Sequence, residues 1–189
     1  MNHDVTIGVL GLQGAFAKHM TMLNALNVHA MLIRYPEELD RCDGLIIPGG
    51  ESTTMSKLIR EMDIRNKLLK YDHPIFGTCA GAILMSEDSN DPRVATLNRV
   101  PVRANRNAWG RQVESFIAPV ELSFDEEPFN AVFIRAPKLT HPDQDVQILG
   151  KLKDEIVLIQ YDNTLLATFH PELTEDIRIH AYFLKLIRN

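Results

Sequence analysis

Pro74-Ile75-Phe76-Gly77-Thr78-Cys79-Ala80-Gly81 decides how the fold is read. A short apolar run enters a tight, small-residue turn, and a helix leaves it near Ala80. Upstream the same alternation repeats. Residues 5–10 read as a buried strand, followed by Phe16, His19, Met20, Leu23 and Leu26 at helical spacing. Residues 28–33 form a second strand candidate and Gly44–Ile47 a third. From Thr53 onward, Met55, Leu58, Ile59 and Met62 share one helical face. Strand, helix, strand, helix is the signature of a parallel sheet with right-handed crossovers.

Beyond the helix the pattern changes. Residues 86–91 are polar and turn-rich, and Pro92 and Pro101 punctuate the stretch after them. Residues 112–122, 131–135, 146–149, 156–160 and 165–169 then read as strands, parted by turn signals at 125–128 and 141–145. These are expected as antiparallel strands at one edge. Ile179, Phe183, Leu186 and Ile187 share a face of a closing helix. No repeat or long linker divides the 189 residues, so one mixed α/β domain over 1–189 is expected.

Composition narrows the function classes. With 45% hydrophobic and 24% charged residues, the chain has enough apolar surface to offset the entropy of folding. Twenty-five acids against 20 bases give a net charge of -5. Without a basic run, this argues against binding nucleic acid through phosphates and against a basic membrane-surface helix. No apolar run approaches the roughly 20 residues that span a bilayer. The start reads straight into a strand, without a leader pattern. The two cysteines, Cys42 and Cys79, have no metal-type spacing, so no metal or cofactor is expected, and a reducing cytoplasm is the simplest home.

Three segments carry chemistry. In Gly77-Thr78-Cys79-Ala80-Gly81 a cysteine stands between glycines at G-x-C-x-G spacing, the thiol counterpart of a nucleophile elbow. The helix N-terminus behind it favours thiolate. A buried structural cysteine is the plain alternative. In His170-Pro171-Glu172 an imidazole at a strand end has a carboxylate two residues on that can orient it, although a surface turn capping the next helix would look the same. Of the other histidines, His19 and His180 fall on helices, and His29, His73 and His141 lie near loops or strand ends. In Pro48-Gly49-Gly50-Glu51-Ser52 two glycines at a strand-to-helix corner allow backbone N–H groups to face a cleft. No Lys follows at P-loop spacing, and Ser52 also suits a plain N-cap.

In that order and spacing, these segments resemble a class I (triad) glutamine amidotransferase domain. Further segments narrow the likeness: Gly11-Leu12-Gln13-Gly14-Ala15, Gly50-Glu51-Ser52-Thr53-Thr54, Arg106-Asn107-Ala108-Trp109-Gly110-Arg111-Gln112, Phe133-Ile134-Arg135-Ala136-Pro137 and His170-Pro171-Glu172-Leu173-Thr174. Together they resemble the glutaminase subunits of pyridoxal 5′-phosphate synthase almost end to end. The resemblance implies a flavodoxin-like, three-layer α/β fold with a mostly parallel sheet and antiparallel edge strands. It implies hydrolysis of L-glutamine to glutamate and ammonia, with Cys79 as nucleophile, His170 moving the proton and Glu172 orienting it. By the same resemblance, backbone N–H groups near Gly50 and Ala80 hold the oxyanion. Gly50, Glu51, Ser52, Arg106, Ile134 and Arg135 bind glutamine, and Gln13 and Gly14 lie near the docking surface. Apart from the resemblance, Arg106 and Arg135 read equally as ordinary ion-pair arginines.

The implied partner is a (β/α)8-barrel synthase subunit, in an assembly of twelve synthases with up to twelve glutaminases. It uses the ammonia to build pyridoxal 5′-phosphate from ribose 5-phosphate and glyceraldehyde 3-phosphate. The chain departs from the family pattern over residues 85–104, at Asn105 where Glu is common, and at Ala82 where a larger aliphatic is usual. Two other readings remain. One is a glutaminase subunit of another amidotransferase, such as the imidazole glycerol phosphate synthase type. The other is a non-catalytic docking subunit.

Overall fold

A computed structural model describes residues 5–106 and 115–188. The first half runs β1 (Thr6–Leu10), α1 (Phe16–Ala25), β2 (His29–Ile33), β3 (Gly44–Ile47), α2 (Ser52–Glu61), α3 (Arg65–Lys70), β4 (Ile75–Thr78) and α4 (Ala80–Met85). There follow β5 (Ser86–Asp88), β6 (Val100–Asn105), β7 (Ser115–Leu122), β8 (Phe129–Ile134) and β9 (Lys138–Thr140). The chain then continues through β10 (Gln147–Leu152), β11 (Glu155–Tyr161), β12 (Thr164–Ala167) and α5 (Arg178–Arg188).

The main sheet has the order β2-β1-β3-β4-β12-β11-β10-β7-β8. Its first five strands are parallel, and from β12 onward each neighbour is antiparallel. The expected parallel core with an antiparallel edge is therefore present. Alternation along each parallel strand splits the core into two faces. Ile7, Val9, Ile46, Phe76, Leu165 and Ala167 pack with Leu23 of α1 and with Ile179, Phe183 and Leu184 of α5. Leu10, Leu45, Ile47, Ile75 and Leu166 pack on the opposite face with Met55 and Ile59 of α2, Leu68 of α3 and Ile83 of α4. Burial of each such side chain contributes on the order of 1.5–3 kcal/mol.

A second sheet, β5-β6-β9, corrects the sequence reading of this region. Residues 86–91 read as turn from their composition, yet Ser86–Asp88 pairs with Val100–Asn105. Val100, Val102 and Ala104 alternate inward in β6, and Pro101 is tolerated because it stands at the first residues of the strand. The helix Arg65–Lys70 and the strand Lys138–Thr140 likewise have no counterpart in the sequence reading. Boundaries differ by a few residues: Leu26 and Met62 cap their helices from outside, and the strand expected over 165–169 ends at Ala167. Of the strand expected over 112–122, residues 112–114 lie outside the described residues, as does Asn107-Ala108-Trp109-Gly110-Arg111-Gln112.

The sheet order explains where function gathers. The corner after β3, the turn after β4 and the segment after β12 all leave the carboxyl ends of adjacent parallel strands. That edge is where open α/β sheets take their ligands.

Candidate active site

Cys79 sits between β4 and α4 with φ 47° and ψ -102°, a region that a non-glycine residue rarely adopts. Its neighbours make the strained turn possible. A Cβ on Gly77 would stand 2.8 Å from the carbonyl carbon of Gly81, and one on Gly81 would stand 2.0 Å from the Ile47 carbonyl oxygen. Only hydrogen at both positions lets strand and helix close this tightly. The Cys79 N–H donates to Ala167 O at 2.8 Å, and its thiol lies 3.8 Å from Ile134 O. Ala80 opens α4, so its N–H belongs to the first turn, where amides have no intrahelical acceptor.

His170 follows β12 and is tied to β8 by its N–H donating to Val132 O at 2.8 Å. Its ring faces the Cys79 thiol across Gly49 on one side. On the other, Nδ1 lies 2.7 Å from Glu172 Oε1, within the 3-10 turn Pro171–Leu173. Burial opposes a charge on this imidazole, but Cys79 and Glu172 together outweigh it and raise its pKa to about 10. The exposed fractions of Cys79, His170 and Glu172 are only 6%, 7% and 2%, so little bulk water screens the ion pair. Gly49 passes between Cys79 and His170: a Cβ there would meet His170 Cε1 at 2.4 Å and Cys79 Cβ at 3.3 Å.

A cavity of about 300 Å³ opens over the thiol. Gln13, Gly14, Gly50, Glu51, Ser52, Cys79, Arg106, Ile134, Arg135 and His170 all line it, from six separate stretches of sequence. Of the residues singled out from sequence, only Ala80 and Glu172 stand behind its wall. Ile134 and Arg135 arrive from the end of β8, Arg135 with a positive φ of 44°. Gln13 Oε1 accepts the Glu51 N–H at 2.9 Å, and Gly49 O accepts the Ala15 N–H at 3.0 Å, so the β1 turn holds the glycine corner.

Two features depart from expectation. The cap of α2 is Glu51, whose carboxylate accepts the Thr53 and Thr54 N–H groups at 3.2 and 2.7 Å. These bonds and the threonine hydroxyls outweigh partial burial and hold its pKa down to about 2. Ser52 is the first residue of the helix instead of its cap, and its hydroxyl is buried at the cavity without a partner among the described residues. The second concerns Arg106, which is ion-paired to Glu51 Oε1 at 3.1 Å and to Asp91 Oδ2 at 2.6 Å. Asp91 also holds Arg93 and lies well below the usual carboxylate range, chiefly through that arginine.

Sequence reasoning misses Asp91 because it falls in the stretch that departs from the family pattern. Asn105, the other departure, donates to Thr140 Oγ1 at 2.9 Å and ties β6 to β9 just before Arg106. Ala82 is fully buried in α4 against the sheet.

The chain is similar to known proteins along nearly its whole length. The pattern of the SNO glutamine amidotransferase family matches residues 9–189. A pyridoxal 5′-phosphate synthase subunit PdxT of Thermosipho africanus is 46% identical over 185 residues, covering 96% of this chain and 98% of the relative. The protein of the same name from Thermotoga maritima is 44% identical over 186 residues, covering 96% and 99%. A solved structure described as a glutamine amidotransferase superposes with a TM-score of 0.91 at 41% identity, covering 97% and 99%.

Proposed function

The chain belongs to the SNO glutamine amidotransferase family, and from that premise we propose that it is the ammonia-supplying glutaminase subunit of a pyridoxal 5′-phosphate synthase. The observation that carries the reading is the strained Cys79 elbow beside an imidazole that is itself bonded to Glu172 at 2.7 Å. That is the arrangement an activated thiol needs.

In the reaction, the Cys79 thiolate attacks the side-chain amide carbon of L-glutamine, and charge moves to the amide oxygen. The N–H groups of Gly50 and Ala80 receive that oxyanion. His170 passes its proton to the amide nitrogen, the C–N bond breaks, and ammonia leaves a thioester on Cys79. Water then gives a proton to His170 and attacks the thioester, releasing glutamate and restoring the thiol pair. Glu172 keeps the imidazole oriented and stabilises its charge at each stage.

The cavity volume suits one small amino acid. Arg106 faces the substrate carboxylate, and Glu51 and the Ile134 carbonyl are acceptors for its ammonium group. Arg106 then exchanges part of its ion pairing with Glu51 and Asp91 for the ligand. Arg106→Gln is accordingly expected to raise KM for glutamine about tenfold while leaving kcat within about twofold, the mark of lost ground-state binding. Initial-rate kinetics across glutamine concentration read both numbers.

Gln13 and Gly14 link the corner at Gly49 and Gly50 to the face assigned to the barrel-type synthase partner. The deciding assay measures glutamate release from L-glutamine with and without that subunit, and with Cys79→Ala as blank. Strong stimulation that the variant lacks is the expected result. Hydrolysis indifferent to the partner would assign the ammonia to another acceptor, and no hydrolysis in either case would leave a docking subunit.

A further inference from the structure

Behind Glu172 lie two more imidazoles that the proposed reaction leaves unused. His19 on α1 and His180 on α5 are both fully buried, on the sheet face that also carries Phe76 and Thr78. His19 Nδ1 lies 2.9 Å from His180 Nε2. His19 Nε2 lies 3.1 Å from Thr78 Oγ1 and 3.4 Å from Glu172 Oε2. That carboxylate oxygen is buried and has no hydrogen bond among the described residues, because His170 uses only Oε1. His180 Nδ1 is likewise buried without a partner.

These contacts permit one consistent placement of protons. Desolvation drives both imidazoles toward neutrality, His19 well below its ordinary value and His180 to about 3, so each carries a single N–H. With its proton on Nδ1, His19 would turn a lone pair toward the Glu172 carboxylate, and His180 would keep a buried N–H with no acceptor. With the proton on Nε2, His19 bonds Thr78 Oγ1 and turns the same N–H toward Glu172 Oε2 at 3.4 Å, a charge–dipole contact longer than a hydrogen bond. Its Nδ1 then accepts from His180 Nε2–H, leaving only a bare ring nitrogen unpaired, which costs less than an orphan donor. The groups that titrate and face His19 are His180, Glu172 and His170.

We propose that His19, fixed as its Nε2–H tautomer by a hydrogen bond from His180, is a positioning residue for Glu172. Its N–H faces the carboxylate oxygen that His170 leaves free. The catalytic carboxylate is thereby flanked on both sides, and a fourth and fifth member extend the line Cys79–His170–Glu172 to α1 and α5. Loss of the His19 donor frees Glu172 to rotate and loosens His170 without touching the glutamine cavity, which neither His19 nor His180 lines. The role rests on the glutaminase reading, but the tautomer does not.

The first test is therefore spectroscopic and needs no variant or turnover. Two-bond proton–nitrogen correlation spectra of the histidine-labelled protein are expected to show His19 and His180 neutral and protonated at Nε2 between about pH 6 and 9. An Nδ1–H tautomer at His19, or titration near the ordinary imidazole value, would overturn the proposal. The second test is kinetic. His19→Leu is expected to lower kcat about tenfold at unchanged KM, because the carboxylate loses the N–H dipole that faces it. His19→Gln, which can offer an amide N–H to the same oxygen, is expected to recover most of that loss. Equal impairment of both variants would reduce His19 to a packing residue. A wild type that releases no glutamate would refute the glutaminase reading while the tautomer result stands on its own.

Discussion

Cys79→Ala is expected to reduce glutamine hydrolysis by roughly 10⁴-fold or more, the scale seen when a covalent nucleophile is removed. No other thiol can replace it. Cys42 lies in the core, where burial and the neighbouring Asp43 push its pKa up to about 11. The same substitution also reports on His170. Burial lowers that imidazole's pKa, and the Cys79 and Glu172 contacts raise it, to about 10 on balance. With the thiol gone, one raising partner is lost and the midpoint must fall, which a proton NMR titration of the ring resonance measures. The sign carries into kinetics. In the proposed reaction His170 holds the proton that ammonia takes with it, so kcat in the wild type should fall as pH rises through about 10. Glu172→Gln moves that alkaline limb lower. Hydrolysis by Cys79→Ala within tenfold of the wild type would mean that another group attacks the amide.

The second large effect is expected at Gly81, in the first turn of the helix behind the elbow. A methyl group there would stand 2.0 Å from the Ile47 carbonyl oxygen and 2.9 Å from its carbon. Both are backbone atoms of β3, so no rotamer change relieves the clash. Strand and helix must part, and β3 is the strand that leads into the Gly49 and Gly50 corner. Gly81→Ala should cost about 3 kcal/mol, the upper end for overpacking a core, and lower Tm by roughly 6–12 °C in a chain of this size. Glutaminase activity should fall as well, because the elbow and the Gly49–Gly50 corner separate. A thermal melt within about 2 °C of the wild type would show that the helix can shift at little cost.

Much of this is legible in the sequence because it is local. Residues 44–47 and 75–78 are short apolar runs bounded by glycine, and a parallel strand buried on both faces looks like that wherever it occurs. The elbow and the His170-Pro171-Glu172 turn each place their groups within a few residues of one another. The small sheet is hidden for the opposite reason. Ser86-Glu87-Asp88 is polar, Lys138-Leu139-Thr140 is three residues long, and Pro101 interrupts an inward alternation of Val100, Val102 and Ala104. Their pairing depends on partners distant in the chain, which periodicity cannot report.

His19 and His180 lack an adjacent carboxylate in sequence, yet His19 meets Glu172 across the fold. The available signal is weaker: each histidine sits among the inward residues of an amphipathic helix, a place where an imidazole must find a partner. Asp91 gives no such signal, since an acid in a polar turn looks solvated until Arg106 is seen against it.

The strand order also bears on how the chain comes to be active as it leaves the ribosome. β4 emerges long before β12, yet β12 lies beside it and is sandwiched between β4 and β11. A nascent chain can assemble the first four parallel strands and the elbow early, but their sheet stays open on one side until the last strand arrives. His170 and Glu172 come directly behind that strand. The Cys79 thiol is thus exposed during synthesis without His170 and Glu172, and closure of the sheet and arrival of that pair at the elbow are one late event.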